Sequence, residues 1–202
     1  MSNMDLKVKS ALNSMRCDIE CWLTAQKKRR IVSSREEFFQ KEFAPILGKD
    51  VVKCLIEKGF CSSPASTRFH GAYDGGLFDH SICVTSELIR LTDMMDLSWS
   101  EDFSPVKVGM LHDLCKVGSY YKNSDGGYEY LKPSILPGHG MKSTILAQSI
   151  ITLTDEEIAC IVHHMGAYET DCWNEYDAAI RKYPNVLLTN TADMISSKIR
   201  GY

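Results

Sequence analysis

Residues 104–118 read SPVKVGMLHDLCKVG, and this stretch combines a helix signal with the adjacent pair His112-Asp113. Ser104 and Pro105 are predicted to be the N-cap and the first residue of a helix, because proline lacks the N–H group that the first turn leaves unpaired. Apolar positions then recur at helical spacing, and we expect the helix to continue past His112. Imidazole and carboxylate are donors that divalent metal ions accept, so the stretch is also a candidate metal-binding element.

The rest of the chain reads as mostly helical. Capping-box patterns at Ser34/Glu37 and Thr154/Glu157 predict two helix starts, since each pairs a hydroxyl with a glutamate three residues later. Pro45 and Gly48 are expected to end the first of these two helices. The tyrosine-rich flanks of an Asp-Gly-Gly turn within residues 119–132 predict one short β-hairpin. We therefore predict an all-α fold, a helical bundle with one short β-hairpin. Further helices are expected over roughly 4–26, 49–58 and 78–95, after 138–140, and from about 185.

Composition places limits on the partners. The chain has 202 residues, a formal net charge of -3 and a pI of about 6.1, so binding of long nucleic acid is not favoured. Eight cysteines without a CxxC pair indicate free thiols in a reducing cytoplasm. No signal peptide or membrane-spanning run is seen, so we expect a cytoplasmic protein with no membrane partner. We expect N-terminal helices over 1–60 packed on a core over 61–202, in one structural domain overall.

Histidine and aspartate side chains that are able to bind metal ions are spread over several predicted elements. Spacing alone does not join them, because ligands from distant segments have no fixed register. Taken singly, a histidine is more often a satisfied core or surface residue than a ligand. The candidates are His80, His112, Asp113, His139, His163, His164 and Asp193.

Several short segments, in this order, resemble the HD superfamily of metal-dependent phosphohydrolases. The similarity covers residues 64–198 and is shared with bacterial and phage HD hydrolases. It also extends to the HD module of 3′→5′ exoribonucleases that carry a separate OB domain. The segments are PASTRFHGAYDGGLFDHS at 64–81, GMLHDLCKVG at 109–118, LPGHGMKS at 136–143, IVHHMG at 161–166 and TADMISSK at 191–198.

The resemblance implies two divalent metal ions, with Mn, Fe, Zn, Co, Ni and Mg not distinguished. It implies that a first ion is held by His80, His112, Asp113 and Asp193. A second ion would take His139 and His164, with His163 as the competing choice beside His164. We favour His164 because Ile158, Ile161 and Val162 already occupy the buried arc of the predicted helix. The chain departs from HD-GYP phosphodiesterases in lacking a GYP motif, which argues against cyclic-di-GMP hydrolysis.

Other residues are candidates for catalysis and for substrate binding. Asp113 is expected to bridge the ions, and Lys116 to contact phosphate because it follows His112 by four residues on one predicted helix. Arg68 and His70 lie in the loop before the first ligand, Lys142 and Ser143 follow His139 at a helix start, and Tyr168 is a candidate for stacking.

These features predict hydrolysis of a phosphomonoester or phosphodiester of a nucleotide-type substrate by metal-activated water. A short-oligonucleotide 3′→5′ exonuclease and a cyclic-nucleotide phosphodiesterase are alternatives within this class. A non-catalytic nucleotide-binding protein and a di-iron oxygenase are alternatives from other classes. The expected partner is a small phosphorylated substrate, and the N-terminal helices offer a possible homodimer contact.

Overall fold

The computed structural model describes residues 5–28, 33–131, 138–168 and 173–202. Within these ranges the chain forms α-helices and one two-stranded antiparallel hairpin, which confirms the predicted all-α fold with a short β-hairpin. The elements are α1 Leu6–Lys27, α2 Arg35–Leu47, α3 Lys49–Glu57, α4 Gly76–Met95, α5 Ser104–Leu111, β1 Tyr120–Lys122, β2 Tyr128–Tyr130, α6 His139–Gln148, α7 Asp155–Val162, α8 Trp173–Lys182 and α9 Asn185–Met194.

Helix α4 is the centre of the bundle. Its residues are buried without interruption from Gly76 to Ile89, as expected of a helix that is covered on all sides. Helices α1, α5 and α9 pack around it, and α7 packs on α5, α6 and α9. At one end an aromatic cluster joins α1, α2 and α4, with ring centroids 5.2–6.3 Å apart. Its members are Trp22, Phe38, Phe39, Phe43, Phe60 and Phe78.

The N-terminal helices lie against this core. Helix α1 packs along α4 and buries Leu12, Ile19 and Leu23, and α2 packs on α3. The division into a unit over 1–60 and a core over 61–202 stays a prediction. In the described part of the chain, no helix is both long and apolar enough to cross a membrane.

Helix boundaries agree with the sequence at the capping boxes and differ at four other places. Both capping boxes form, with Ser34 and Thr154 accepting from the glutamate N–H three residues on. Pro45 lies inside α2, which continues to Leu47, because proline in the last turn removes only one intrahelical hydrogen bond. Ser104 is the first helical residue of α5 and not its N-cap.

The other two differences position the functional side chains. Helix α5 ends at Leu111 and α7 ends at Val162, so the histidines predicted on these helices follow them instead. A 3-10 helix, Leu114–Lys116, then leads to the hairpin. The sequence also gave no prediction for α8, which packs on α9.

Candidate metal centre

Four separate elements bring histidine and aspartate side chains to one buried place. Helix α4 carries His80, the segment after α5 carries His112 and Asp113, the segment after α7 carries His164, and α9 carries Asp193. One ligand atom from each of His80, His112 and Asp113 lies within 4.8 Å of the other two. The Asp193 Oδ1 atom is 3.2 Å from His80 Nε2. The structure thus gathers residues that span more than half of the chain.

Asp113 lies at the centre of this group and is 3% exposed. Its Oδ2 atom is 3.5 Å from the Nε2 atoms of both His80 and His112. Its Oδ1 atom is 3.6 Å from His164 Nε2. The two carboxylate oxygens therefore face different imidazoles, an arrangement that suits either one ion or two.

Helix ends aim two of the three buried histidines. His112 Nδ1 donates to the Gly109 carbonyl at 2.9 Å, and His164 Nδ1 donates to the Ile161 carbonyl at 2.7 Å. Carbonyl groups in the last turn of a helix lack an intrahelical partner and are free to accept such bonds. Because α5 and α7 end just before these histidines, each imidazole turns back onto its own helix end and points Nε2 at Asp113.

The third histidine, His80, is held from the far end of the sequence. Its Nδ1 atom donates to the main-chain oxygen of Tyr202 at 3.1 Å, and Ser196 Oγ lies 3.3 Å from the same atom. A π-helix over Ile195–Arg200 follows α9 and brings these groups to α4. π-Helical turns are rare and occur frequently at functional sites.

The donor set fits a divalent metal ion. Each buried imidazole has Nδ1 bonded to a main-chain oxygen and Nε2 turned toward Asp113, the usual arrangement of metal-binding histidines. His164 Nε2 is buried without a hydrogen-bond partner in the described structure. A buried polar atom without a partner is costly, and a metal ion would satisfy it. The His80, His112 and Asp113 group is therefore able to hold an ion.

Lys116 reaches the centre by a route that the sequence did not predict. It belongs to the 3-10 helix and not to a continuous helix with His112, so the expected four-residue register is wrong. Its Nζ atom instead pairs with Asp113 Oδ2 at 2.6 Å, three residues back along the chain. The ammonium group is nearly buried, and the attraction of Asp113 outweighs the burial cost and raises the pKa of Lys116.

Electrostatics at the centre favour positive charge on His80, whereas burial lowers the pKa of His112. Burial disfavours the charged form of His80, but hydrogen bonds to Asp113 and Asp193 outweigh it and raise the pKa of His80 to about 9. Burial also opposes ionisation of Asp113, yet Lys116 and His112 hold the pKa of its carboxyl well below the usual range. Near pH 7 the two carboxylates thus favour the protonated form of His80, and the same negative charge would attract a metal cation.

The two remaining candidate histidines, His139 and His163, contact residues other than Asp113. His139 is the first residue of α6 and is exposed, with Nδ1 3.4 Å from Cys115 Sγ. His163 packs beside Tyr176, with ring centroids 6.2 Å apart. Of the adjacent pair after α7, His164 therefore contacts the Asp113 group, while His163 faces α8.

Of the two candidate residues in the loop before α4, His70 lies at the centre and Arg68 does not. His70 lies beside His80, with ring centroids 4.9 Å apart, and its Nε2 atom is buried without a hydrogen-bond partner in the described structure. Burial and the neighbouring His80 lower the pKa of His70 to about 4, so it is neutral near pH 7. Arg68 is exposed and forms no ion pair within the described residues.

The α6 candidates support the backbone near the centre. Ser143 is buried, and its Oγ accepts from the Cys115 N–H at 3.1 Å, which fixes the 3-10 turn after Asp113. Lys142 Nζ donates to Ser119 Oγ at 3.4 Å. Tyr168 is 65% exposed and lines the same cavity as Asp113 and Asp193. Among these residues, only Tyr168 borders the space next to the centre.

Sequence reasoning missed three groups that shape the site. The main-chain oxygen of Tyr202 and the Ser196 hydroxyl hold His80, and main-chain contacts leave no signal in a sequence. Asn190 donates to the His164 carbonyl at 2.8 Å and lines the cavity. It precedes Asp193 by three residues on α9, so helical spacing from Asp193 was a usable signal for it.

Comparisons with known proteins give one distant relative. No family model matches the chain. No solved structure matches it either. The dihydroneopterin 2′,3′-cyclic phosphate phosphodiesterase of Methanocaldococcus jannaschii is 28% identical over 71 residues, which cover 34% of this chain and 28% of that protein. The match thus spans well under half of either chain. The relative and the buried His80, His112 and Asp113 cluster are compatible with a metal-dependent phosphohydrolase.

Proposed function

We propose that this chain is an HD-type, metal-dependent phosphohydrolase that cleaves a phosphomonoester or phosphodiester bond in a nucleotide-type substrate. One observation carries the proposal. Three buried imidazoles give their Nδ1 protons to main-chain oxygens and present Nε2 to one buried carboxylate, Asp113. A structural core has no need of this orientation, whereas a metal centre requires it.

The ligand sets follow from which oxygen of Asp113 each imidazole faces. His80 and His112 face Oδ2, Asp193 lies beside His80 Nε2, and the three would hold a first ion with Asp113. His164 faces Oδ1 and would hold a second ion. His139 is proposed as a further ligand of this ion on the family resemblance alone. Asp113 would then be a ligand in both sets, because its two oxygens face different imidazoles.

The reaction proposed is direct attack of water on phosphorus. Ions bound here would lower the pKa of a coordinated water toward neutrality and offset charge on the phosphoryl oxygens. Lys116 stays protonated beside Asp113 and borders the cavity, so its Nζ is placed to donate to a phosphoryl oxygen. Neutral His70 borders the same cavity and would donate or accept one hydrogen bond there.

The relative is a phosphodiesterase, which favours a phosphodiester over a monoester as the first substrate to test. That protein is described as acting on a 2′,3′-cyclic phosphate, a strained five-membered diester. We therefore propose nucleoside 2′,3′-cyclic phosphates as the leading substrate class. Linear dinucleotides and 3′,5′-cyclic phosphates test the other diester alternatives.

The test combines metal analysis with a hydrolysis screen. Purified protein is assayed for bound metal and for hydrolysis of nucleoside mono-, di-, tri- and cyclic phosphates, with Mn²⁺, Zn²⁺, Fe²⁺ or Mg²⁺ added. We expect His112→Ala to lose bound metal and Asp113→Ala to lose at least about a thousandfold in turnover, since transition-state charge stabilisation is removed. Circular dichroism checks that both variants stay helical.

The adjacent histidines provide a matched control. His164→Ala is expected to lower metal content, whereas His163→Ala is expected to keep it, because His163 faces α8 and not Asp113. The reverse result would remove His164 from the proposed ligand set. Metal-free protein with full hydrolytic activity would refute the proposed function. Aerobic, iron-dependent loss of substrate without hydrolysis would instead identify an oxygenase.

A further inference from the structure

The cavity at the proposed metal centre is too small for a whole nucleotide. Its volume is about 160 Å³, and Asp113, Lys116, Asp193 and Lys198 line it with charged groups. Pockets that enclose an organic ligand usually measure about 300–1,000 Å³. The space therefore suits a phosphoryl group, and the remainder of any larger substrate must lie outside it.

A second cavity adjoins the first along α8 and α9. It measures about 540 Å³, which is within the range for an organic ligand. Asn190 lines both cavities. Its Nδ2 donates to the His164 carbonyl, and its Oδ1 accepts from Tyr176 Oη at 3.5 Å. One side chain thus joins the wall of the second cavity to the backbone of a proposed metal ligand.

The lining of the second cavity is aromatic and amide-rich. Trp173 stacks on Tyr176, with centroids 5.6 Å apart and ring planes 7° apart, and Trp173 is still 59% exposed. Leu187 is 47% exposed on α9 across the cavity, and Asn174 adds an amide at its edge. Trp173, exposed on the face away from the buried Tyr176, offers a flat surface for a heteroaromatic ring, and the nearby amide suits the ring's hydrogen-bonding edge.

We propose that the α8–α9 cavity binds the fused heteroaromatic ring of the substrate, with Trp173 as the stacking residue and Asn190 as the link to the metal centre. This inference rests on the proposed function and adds a specificity site to it. The ring chemistry is shared by nucleobases and pterins. Tyr168, in a 3-10 turn that packs on α8, lines the first cavity on its α8 side.

The first test compares a substrate that has a ring with one that lacks it. Guanosine 2′,3′-cyclic phosphate and glycerol 1,2-cyclic phosphate carry the same five-membered diester. We expect Trp173→Ala to raise KM for the guanosine ester about tenfold, the size expected for loss of one base–aromatic stack. Hydrolysis of the glycerol ester should be unchanged. Trp173→Phe keeps an aromatic face and should recover most of the affinity for the guanosine ester.

The outcomes separate the two proposals. If Trp173→Ala loses hydrolysis of both esters equally, Trp173 has a structural role. If it loses hydrolysis of neither ester, the ring binds elsewhere. Each result overturns the inference and leaves the proposed function intact. The KM for neopterin 2′,3′-cyclic phosphate, compared with that for the guanosine ester, shows whether the site prefers a pterin or a purine. Failure of the wild-type protein to hydrolyse every phosphate ester tested, including the nucleoside mono-, di-, tri- and cyclic phosphates of the screen, would refute the proposed function.

A binding measurement tests the ring site without turnover. Trp173 is far more exposed than Trp22, which is 4% exposed, so stacking should quench the fluorescence of the accessible indole. We expect guanosine 2′-monophosphate to quench wild-type protein saturably, and glycerol phosphate to leave the signal unchanged. Loss of this quenching in Trp173→Phe assigns the signal. Quenching that survives in Trp173→Phe, or the absence of quenching in the wild type, would overturn the proposal. If the surface instead binds a second copy of the chain, the protein should dimerise with rising concentration, and Trp173→Ala should abolish the dimer.

Discussion

His112 and His164 are each held by a carbonyl group three residues earlier in the chain, whereas His80 is held by a main-chain oxygen 122 residues away. The difference follows from where each histidine lies. His112 and His164 follow helix ends, where carbonyl groups have no helical partner. His80 lies in the second turn of α4, where neighbouring carbonyls already accept helical hydrogen bonds, so its anchor has to come from another segment.

The local anchors depend on close packing at two glycines. A Cβ atom on Gly140 would overlap the Val162 carbonyl oxygen and lie 2.6 Å from that of Ile161, the anchor of His164. A Cβ on Gly109, whose carbonyl holds His112, would overlap the Thr85 side chain on α4. The glycines let α6 and α4 approach the ends of α7 and α5.

The largest effect is expected from Gly140→Ala. Alanine favours a helix over glycine, so any loss of stability must come from the contact with the end of α7. We expect a loss of about 3 kcal/mol in the free energy of unfolding, the upper range for overpacking, measured by urea denaturation. Gly127→Ala is the matched control, because its nearest neighbour would be Asn123 at 3.5 Å and the change should be under about 1 kcal/mol. Equal stabilities for the two variants would contradict the role of close packing.

A smaller effect on stability, with a clear effect on metal binding, is expected from Arg200→Ala. Arg200 pairs with Glu20 on α1 at 2.6 Å and with Glu87 on α4 at 2.8 Å, and it thereby fixes the segment that presents the Tyr202 oxygen. Its removal takes the main cationic partner from Glu20, which keeps only the Ser86 hydroxyl, and one of two arginines from Glu87, which keeps Arg90. The loss should cost about 2 kcal/mol. Metal affinity should fall at least about tenfold, as for other groups that orient a metal ligand.

The control for Arg200 is Arg181→Ala, which removes an exposed pair with Asp177 and should leave metal affinity unchanged. Calorimetric titration with Zn²⁺ or Mn²⁺ measures the affinity of each variant. If Arg200→Ala lowers stability but binds metal like the wild type, the distant anchor has no part in the site.

The smallest effect is expected from Ser196→Ala. The Ser196 hydroxyl lies 3.3 Å from His80 Nδ1, but Tyr202 already accepts from that atom at 3.1 Å. We expect a loss of about 1 kcal/mol or less in unfolding free energy and almost unchanged metal affinity. A large loss of metal affinity would make the serine, and not the main-chain oxygen, the principal anchor.

The same contrast explains what the sequence predicted and what it did not. Apolar periodicity and the capping boxes at Ser34 and Thr154 predicted the all-α fold, because these signals are local. The gathering of His80, His112 and Asp113 was expected only from a family resemblance, since residues 32 positions apart share no local register. The ends of α5 and α7 were placed too late, because apolar spacing continues past residues that tertiary packing turns out of the helix.

The π-helix beyond α9 has a consequence for how the centre forms during folding. Local contacts close quickly, so His112 and His164 acquire their orientation once α5 and α7 have formed. The His80 contact spans 122 residues and forms only when the segment after α9 has docked on α4. During refolding, an incoming ion would therefore first meet a loose pair of imidazoles and later a rigid triad. The rate at which the refolding protein binds an ion tightly then measures the formation of the long-range contact at His80. Removal of Arg200 should slow this step.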